Sequence, residues 1–257
     1  MKTLVFDLDG TMYRGTSIIQ SACDFLNLCI EKKVPFYFLT NNSLRTRQEN
    51  VEHMMNMGYT NIDADMFYNS AMASVQYVKH HYSQRKAYYV GKNGLKEALE
   101  QEGFTITEDH PDFVFVGLDK SATYDVYSKA LDHLLQGSKL IGTNKDRVLA
   151  SPKGFEVGNG SVVALFEYAS QQVSPDIAKP SGVMLDLFLE HTQLNKEDIV
   201  LIGDNLDTDI KLGYDHGVET IFVQTGVHTI SDLKNHPVKP DVVLETLMDP
   251  SLLRYLD

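Results

Sequence analysis

Short apolar runs alternate along this chain with segments of helical periodicity, and no other feature narrows the fold so far. Leu4-Val5-Phe6 and residues 34–39 read as buried strands. Between them, residues 17–33 carry Ile18, Ala22, Phe25, Leu26, Cys29 and Ile30 at helical spacing. After them, residues 43–57 place Val51, Met54 and Met55 on one face. A strand, a helix and a strand in that order make a βαβ unit, whose strands lie parallel. Residues 70–82 add a helix with Ala71, Val75 and Val78 turned inward.

The pattern then restarts. Ala87-Tyr88-Tyr89-Val90-Gly91 opens a second series: helix 93–102, strand 112–117, helix 124–136, strand 139–142 and helix 161–172. These elements suffice to enclose a core of their own. Their flanks, Ser83-Gln84-Arg85 and Val173-Ser174-Pro175-Asp176, are polar and turn-rich. The expected organisation is a core of residues 1–83 and 178–257, with residues 84–177 inserted as a second domain. The core resumes with helix 181–193, strand 198–202, helix 206–216, strands 219–223 and 241–244, and a closing helix 247–256. The fold class that follows is α/β, a doubly wound, Rossmann-like parallel-sheet core with an inserted α/β domain.

Charge and cysteine content exclude several function classes. A formal charge of -12 over 257 residues repels nucleic acid and anionic membrane surfaces alike. Any phosphate that the protein handles must be drawn by a local cation. No apolar run approaches the roughly 20 residues of a membrane span, and the first strand begins without a signal-peptide region ahead of it, so a cytoplasmic location is expected. Cys23 and Cys29 share one helical segment, about 9 Å apart in rise, too far for a disulfide. Two packing thiols suit a reducing compartment. A homo-oligomer is an arrangement that the sequence leaves open.

Four places look chemical, each at the end of a core element. Phe6-Asp7-Leu8-Asp9-Gly10-Thr11 sets two acids just beyond the first strand, where open α/β sheets build their sites. An acid before Gly is also ordinary turn chemistry. A calcium loop from Asp7 would need Gly and Glu where Met12 and Ile18 stand. Gly10 and Gly15 have the separation of a phosphate-binding loop, but Thr16-Ser17 follow instead of Lys and Ser/Thr. The second strand runs into Thr40-Asn41-Asn42-Ser43, and Lys179-Pro180 opens the helix after the insertion. Gly203-Asp204-Asn205-Leu206-Asp207-Thr208-Asp209 crowds three acids at a strand-to-helix junction. One can cap the helix, but three repel unless a cation offsets them.

In this order the four places resemble the motifs of the haloacid dehalogenase (HAD) superfamily of phosphohydrolases. The resemblance covers the whole chain and implies that the insertion is an α/β cap of the NagD-like and p-nitrophenyl phosphatase group. Leu39-Thr40-Asn41-Asn42-Ser43, Ser70-Ala71-Met72-Ala73, Gly142-Thr143-Asn144 with Asp146, and Gly203-Asp204-Asn205 are similar to that group. Ala178 departs from it, standing where Gly is common.

The implied reaction is Mg2+-dependent hydrolysis of a phosphate monoester. A phosphate dianion repels nucleophiles, so a carboxylate can attack only where cations neutralise the phosphoryl oxygens. Asp7 is the expected nucleophile, forming an aspartyl phosphate, and Asp9 the acid and base that protonates the leaving group and then activates water. Mg2+ suits the hard oxygens of Asp7, the Asp9 carbonyl and Asp204, with Asp209 either holding a water at the metal or orienting Lys179. Lys179 and Thr40 face the transferring oxygens. Thr11 and Asn42 are expected to orient the acid pair or meet the substrate, and Asn41 joins them in the candidate substrate set. In the cap, Asn144, Lys145 and Asp146, with Gly158-Asn159-Gly160-Ser161, are candidate contacts to the leaving group of a small phosphorylated metabolite. Val163 takes the third glycine's place in that last run, which rules out a dinucleotide loop.

Three rivals differ in testable ways. A phosphoacceptor signalling domain needs about half this length and no Asp9. A catalytically silent HAD-fold binding protein would have lost Asp7 or Asp9. A phosphotransferase or mutase would pass the aspartyl phosphate to a hydroxyl acceptor faster than to water.

Overall fold

The computed structural model describes residues 2–151 and 154–256. Their contacts divide the chain into two compact units. Met1–Thr40, Arg47–Tyr68 and Phe188–Asp257 form the first, and Asn41–Thr46 with Asn69–Leu187 the second. This division differs from the expected insertion of residues 84–177. Helix Ser70–His81 groups with the second unit because it packs on helix Asn93–Gln101, and the Ser70 hydroxyl donates to the Asn41 carbonyl.

The first unit is built on a six-stranded sheet. Across it the strands run Phe67–Asn69, Phe36–Thr40, Thr3–Phe6, Ile199–Gly203, Glu219–Val223 and Val242–Leu244. Numbered along the chain, this is the order 3-2-1-4-5-6 of the doubly wound dinucleotide-binding sheets. Thr3–Phe6 pairs in parallel with both neighbours, Phe6 standing opposite Ile202 on one side and Phe38 on the other. The parallel pairings continue through Glu219–Val223 to Val242–Leu244. Every residue of Thr3–Phe6 and Ile199–Gly203 is buried, as parallel strands covered on both faces require. Phe6 meets Phe25 and Phe36 edge-on, with ring centroids 6.3 and 6.4 Å apart. Each fully buried ring of this kind contributes roughly 1.5–3 kcal/mol by leaving water.

Several elements depart from their expected bounds for local reasons. The first helix is Gln20–Lys32, not 17–33, because Ser17–Ile18 pairs antiparallel with Tyr13–Arg14 in a hairpin. The second is Arg47–Asn56 rather than 43–57, the residues before it belonging to the second unit. Residues 206–216 begin with a π-helical turn, Leu206–Ile210, before helix Lys211–His216. The chain closes in a 3-10 helix, Pro250–Tyr255, instead of an α-helix over 247–256. Pro250 disfavours helical backbone at Asp249, and the Asp249 carboxylate caps Ser251 N–H at 2.9 Å. Helix Ile230–Asn235 was not expected, although Thr229 and Asp232 close a reciprocal capping box at its start.

The second unit has its own parallel sheet, in the order Thr105–Ile106, Lys86–Val90, Phe113–Val116, Lys139–Gly142. Val90, Val114, Val116 and Leu140 pack there with Ala130, Leu134, Val163 and Phe166 from two helices, Tyr124–Leu135 and Asn159–Ser170. Val148–Ser151 and Gly154–Val157 pair antiparallel. Among the described residues no helix is long and apolar enough to cross a membrane.

Candidate active site

In a sheet of this order, ligands bind beyond the carboxyl ends of the strands where the winding reverses, between the first and fourth strands. Asp7 and Asp204 occupy that place. The Asp7 N–H extends the sheet ladder by one bond, to the Ile202 carbonyl at 2.8 Å, and Asp204 follows the last residue of Ile199–Gly203. The π-helical turn then swings Asp209 back. Carboxylate oxygens of Asp7, Asp204 and Asp209 all lie within 4.8 Å of one another. Asp209, expected to hold a water at the metal or to orient Lys179, thus brings a carboxylate oxygen into the same cluster. Three carboxylates at that separation are the donor set a hard divalent cation takes, so the residues fit Mg2+.

Asp204 is fully buried. Its Oδ1 accepts from the Thr11 hydroxyl at 3.0 Å and its Oδ2 from Val227 N–H at 2.6 Å. Burial, and secondarily the charge on Asp209, pushes its carboxyl up to about 7 from an ordinary 3.8. Two glycines make room for it. Gly10 sits at φ +98°, in the left-handed region, and a Cβ on it or on Gly226 would overlap the carboxylate. Thr11, expected near the substrate, therefore has its hydroxyl committed to Asp204.

Asp9 differs from these acids in being exposed, and its carboxylate is outside the cluster. The Leu8 carbonyl accepts from the N–H groups of Thr11, Met12 and Tyr13, while Gly10 N–H donates to the Tyr13 carbonyl. This turn buries Leu8 and leaves Asp9 outward. Thr40 is buried at the end of strand Phe36–Thr40, at the same edge of the sheet as Asp7.

The second unit carries the remaining candidates. Lys179 is 5% exposed, and the peptide joining it to Pro180 is cis. Asn41 accepts from Lys179 N–H at 3.0 Å and donates to the Lys179 carbonyl at 3.0 Å. Asn144 donates to the Asn41 carbonyl at 2.8 Å and accepts from Asp146 N–H at 3.2 Å. Asn42 Oδ1 accepts from Leu44 N–H at 3.1 Å, a local turn bond. Lys145 is exposed, donates to the Ser174 carbonyl at 3.0 Å and lies 3.6 Å from Glu167. Asn159 Nδ2 reaches the carbonyls of Val116 and Asn144 and the Thr143 hydroxyl, and Gly160 N–H donates to the Asp146 carbonyl. That glycine-rich run ties a strand end to a loop.

Sequence reading assigned nothing to residues 224–228, which the structure brings against Asp204. Thr225 donates to the Gly10 carbonyl at 2.8 Å, and His228 Nδ1 accepts from Leu206 N–H at 3.0 Å. The signal was present in the sequence: a Gly-containing turn directly after a buried strand, at the same sheet edge as Asp7.

Comparison with known proteins agrees with this geometry. Residues 4–105 match the family model described as haloacid dehalogenase-like hydrolase, and residues 176–250 a HAD-hydrolase-like model. An acid sugar phosphatase of Staphylococcus haemolyticus is 36% identical over 242 residues, 93% of this chain and 91% of the relative. The 5'-nucleotidase YutF of Bacillus subtilis is 29% identical over 248 residues, 96% of both. The solved structure of NagD from E. coli K-12 superposes with a TM-score of 0.86 at 32% identity, covering 96% of this chain and 97% of that one. The chain belongs to the haloacid dehalogenase-like hydrolases. Within that family it is a phosphatase of the NagD-like branch.

Proposed function

We propose that the protein is a Mg2+-dependent phosphatase that hydrolyses small phosphate monoesters through an aspartyl-phosphate intermediate. The observation that carries this reading is the pairing of a three-carboxylate cluster at the switch point with an exposed acid two residues beyond Asp7. A divalent cation held by Asp7, Asp204 and the Asp9 carbonyl, with Asp209 beside them, supplies the positive charge that offsets repulsion between Asp7 and a phosphate dianion.

The chain's own groups account for the rest. A carboxylate oxygen of Asp7 attacks phosphorus as the bond to the leaving oxygen breaks, and Asp9 gives its proton to that oxygen. Asp9, now ionised, takes a proton from the water that attacks phosphorus. The Asp7–phosphorus bond breaks, and inorganic phosphate leaves. Thr40 and Lys179 supply a hydroxyl and an ammonium to the phosphoryl oxygens, by the order of motifs they share with the family. Sugar phosphates and nucleoside monophosphates are the substrate classes proposed, because relatives carry names for both. A reducing, cytoplasmic setting is supported by two free, buried cysteines, Cys23 and Cys29.

Release of inorganic phosphate from p-nitrophenyl phosphate and from a panel of phosphorylated metabolites tests the reading. Turnover should need Mg2+, stop on chelation and vanish in Asp7→Asn. Undiminished turnover in that variant would overturn the nucleophile assignment.

A further inference from the structure

We propose that Asn41 and Asp146 are positioning residues that hold the main chain of Lys179, rather than contacts to the substrate's leaving group. The inference rests on the phosphatase reading for its kinetic consequence but not for its geometry.

Asn41 brackets one residue from both sides. Its Oδ1 takes the Lys179 N–H and its Nδ2 gives a hydrogen to the Lys179 carbonyl, both at 3.0 Å. A side-chain amide thus does for Lys179 what a neighbouring strand does in a sheet ladder. The second Nδ2 hydrogen faces the Asp146 carboxylate, 3.2 and 3.3 Å from its two oxygens. An Asn offers two hydrogens on nitrogen and lone pairs only on oxygen. With one donor and two acceptors around it, only one orientation of the amide satisfies all three partners. Asp146 therefore reinforces the orientation that the Lys179 N–H and carbonyl already select.

The bracket is itself clamped. The Asn41 carbonyl accepts from Ser70 Oγ at 2.6 Å and from Asn144 Nδ2 at 2.8 Å. Asp146 is held in turn, its N–H on Asn144 Oδ1 and its carbonyl on Gly160 N–H at 2.8 Å. Asn41, Ser70, Asn144 and Lys179 are all more than nine-tenths buried, where such bonds meet little competition from water. A lysine has a long, flexible stem, so fixing its root limits where the ammonium can reach. Displacing a catalytic group by about 1 Å can cost on the order of 100-fold in rate.

Lys179 is proposed to act on the phosphoryl group, which every substrate shares. Disrupting the bracket should therefore cost the same whatever the leaving group. The test compares Asn41→Ala, Asp146→Ala, Asp146→Asn and Asn41→Asp with the wild type. In Asn41→Ala, kcat should fall about 10- to 100-fold, equally for p-nitrophenyl phosphate and for a sugar phosphate. Inhibition by inorganic phosphate, which has no leaving group, should weaken several-fold, and the Mg2+ concentration for half activation should stay within about twofold. Asp146→Asn keeps an acceptor for Asn41 and should retain more activity than Asp146→Ala. Asn41→Asp sets two carboxylates together and removes the donor to the Lys179 carbonyl, so it should be the most impaired.

Hydrogen exchange at the Lys179 amide provides a readout independent of activity. Protection at Lys179 should drop at least tenfold in Asn41→Ala, while protection across strand Phe113–Val116 is kept. Unchanged protection at Lys179, or a kinetic loss confined to particular leaving groups, would overturn the proposal. Lost protection in a protein whose wild type releases no phosphate would support the bracket and sink the phosphatase reading instead.

Discussion

Replacing Asp204 by Asn should stabilise the metal-free protein while destroying its activity. Asp204 is fully buried beside Asp209, and its carboxyl is pushed up to about 7 from 3.8. A folded value above the unfolded one means that the native state binds the proton more tightly. The associated stability is complete below pH 4 and is lost as pH rises towards 7. At 1.36 kcal/mol per tenfold change, the upward shift costs at most about 4 kcal/mol at pH 8, where Asp204 is ionised in the fold, and about 2 kcal/mol at pH 5, where the fold keeps it protonated and the unfolded chain does not. Asn has nearly the same shape and no charge. Its oxygen can accept from Val227 N–H, and its nitrogen can donate to a Thr11 hydroxyl turned to receive it. In EDTA at pH 8, scanning calorimetry should place the Asp204→Asn transition on the order of 10 °C above wild type, at about 2–4 °C per kcal/mol. At pH 5 the gap should narrow by about half. Mg2+ should raise the wild-type transition at pH 8 and leave the variant's where it is. A variant less stable than wild type at pH 8 in EDTA, or a gain independent of pH, would refute the reasoning that a buried, uncompensated charge sits at this position.

Three further expectations concern the same loops. Asp9→Asn should slow alkyl phosphates by at least about tenfold more than p-nitrophenyl phosphate, because an aryl leaving group has little need of a proton. Equal losses in steady-state assays on both would count against the acid role. Gly226→Ala forces a Cβ into the Asp204 carboxylate and should cost about 1–3 kcal/mol of stability. It should also raise the Mg2+ required for half activation, and a Mg2+ titration unchanged from wild type would show that the loop yields without moving Asp204. His228→Ala removes the acceptor for Leu206 N–H and should cost about 1–3 kcal/mol. Denaturant midpoints should recover in part in His228→Asn, whose oxygen can replace Nδ1, and equal midpoints for the two variants would contradict that account.

How far the site was legible in the sequence varied with the kind of group. Asp7 and Asp204 were readable because each follows a buried apolar strand, and a parallel sheet brings such strand ends to one edge. Asp209 was readable as an acid, but its entry into the cluster depends on the wide turn Leu206–Ile210. Helical spacing at 3.6 residues per turn does not anticipate that turn. Thr11 and Asn41 were placed on the right loops, but the protein partners of their side chains were not legible. A hydroxyl or an amide bonds whatever donor or acceptor faces it, and here those were the Asp204 carboxylate and the Lys179 main chain. Lys145, a candidate substrate contact, lies exposed and donates to the Ser174 carbonyl, a partner that sequence spacing does not reveal.

By itself the sequence determined that two parallel α/β sheets would form, and which strand ends would carry acids. Apolar periodicity and acids after strands are local properties, readable within a window of roughly ten to fifteen residues. Only the tertiary structure decided that the strands would lie in the order 3-2-1-4-5-6, which sets Asp7 beside Asp204 at the point where the winding reverses. It also decided that Gly10 and Gly226 would close around a buried carboxylate, and that Asn41 would spend its amide on Lys179. Those outcomes join residues far apart in the chain through hydrogen bonds and excluded volume, which act over a few ångströms. They come into being only once the chain has folded.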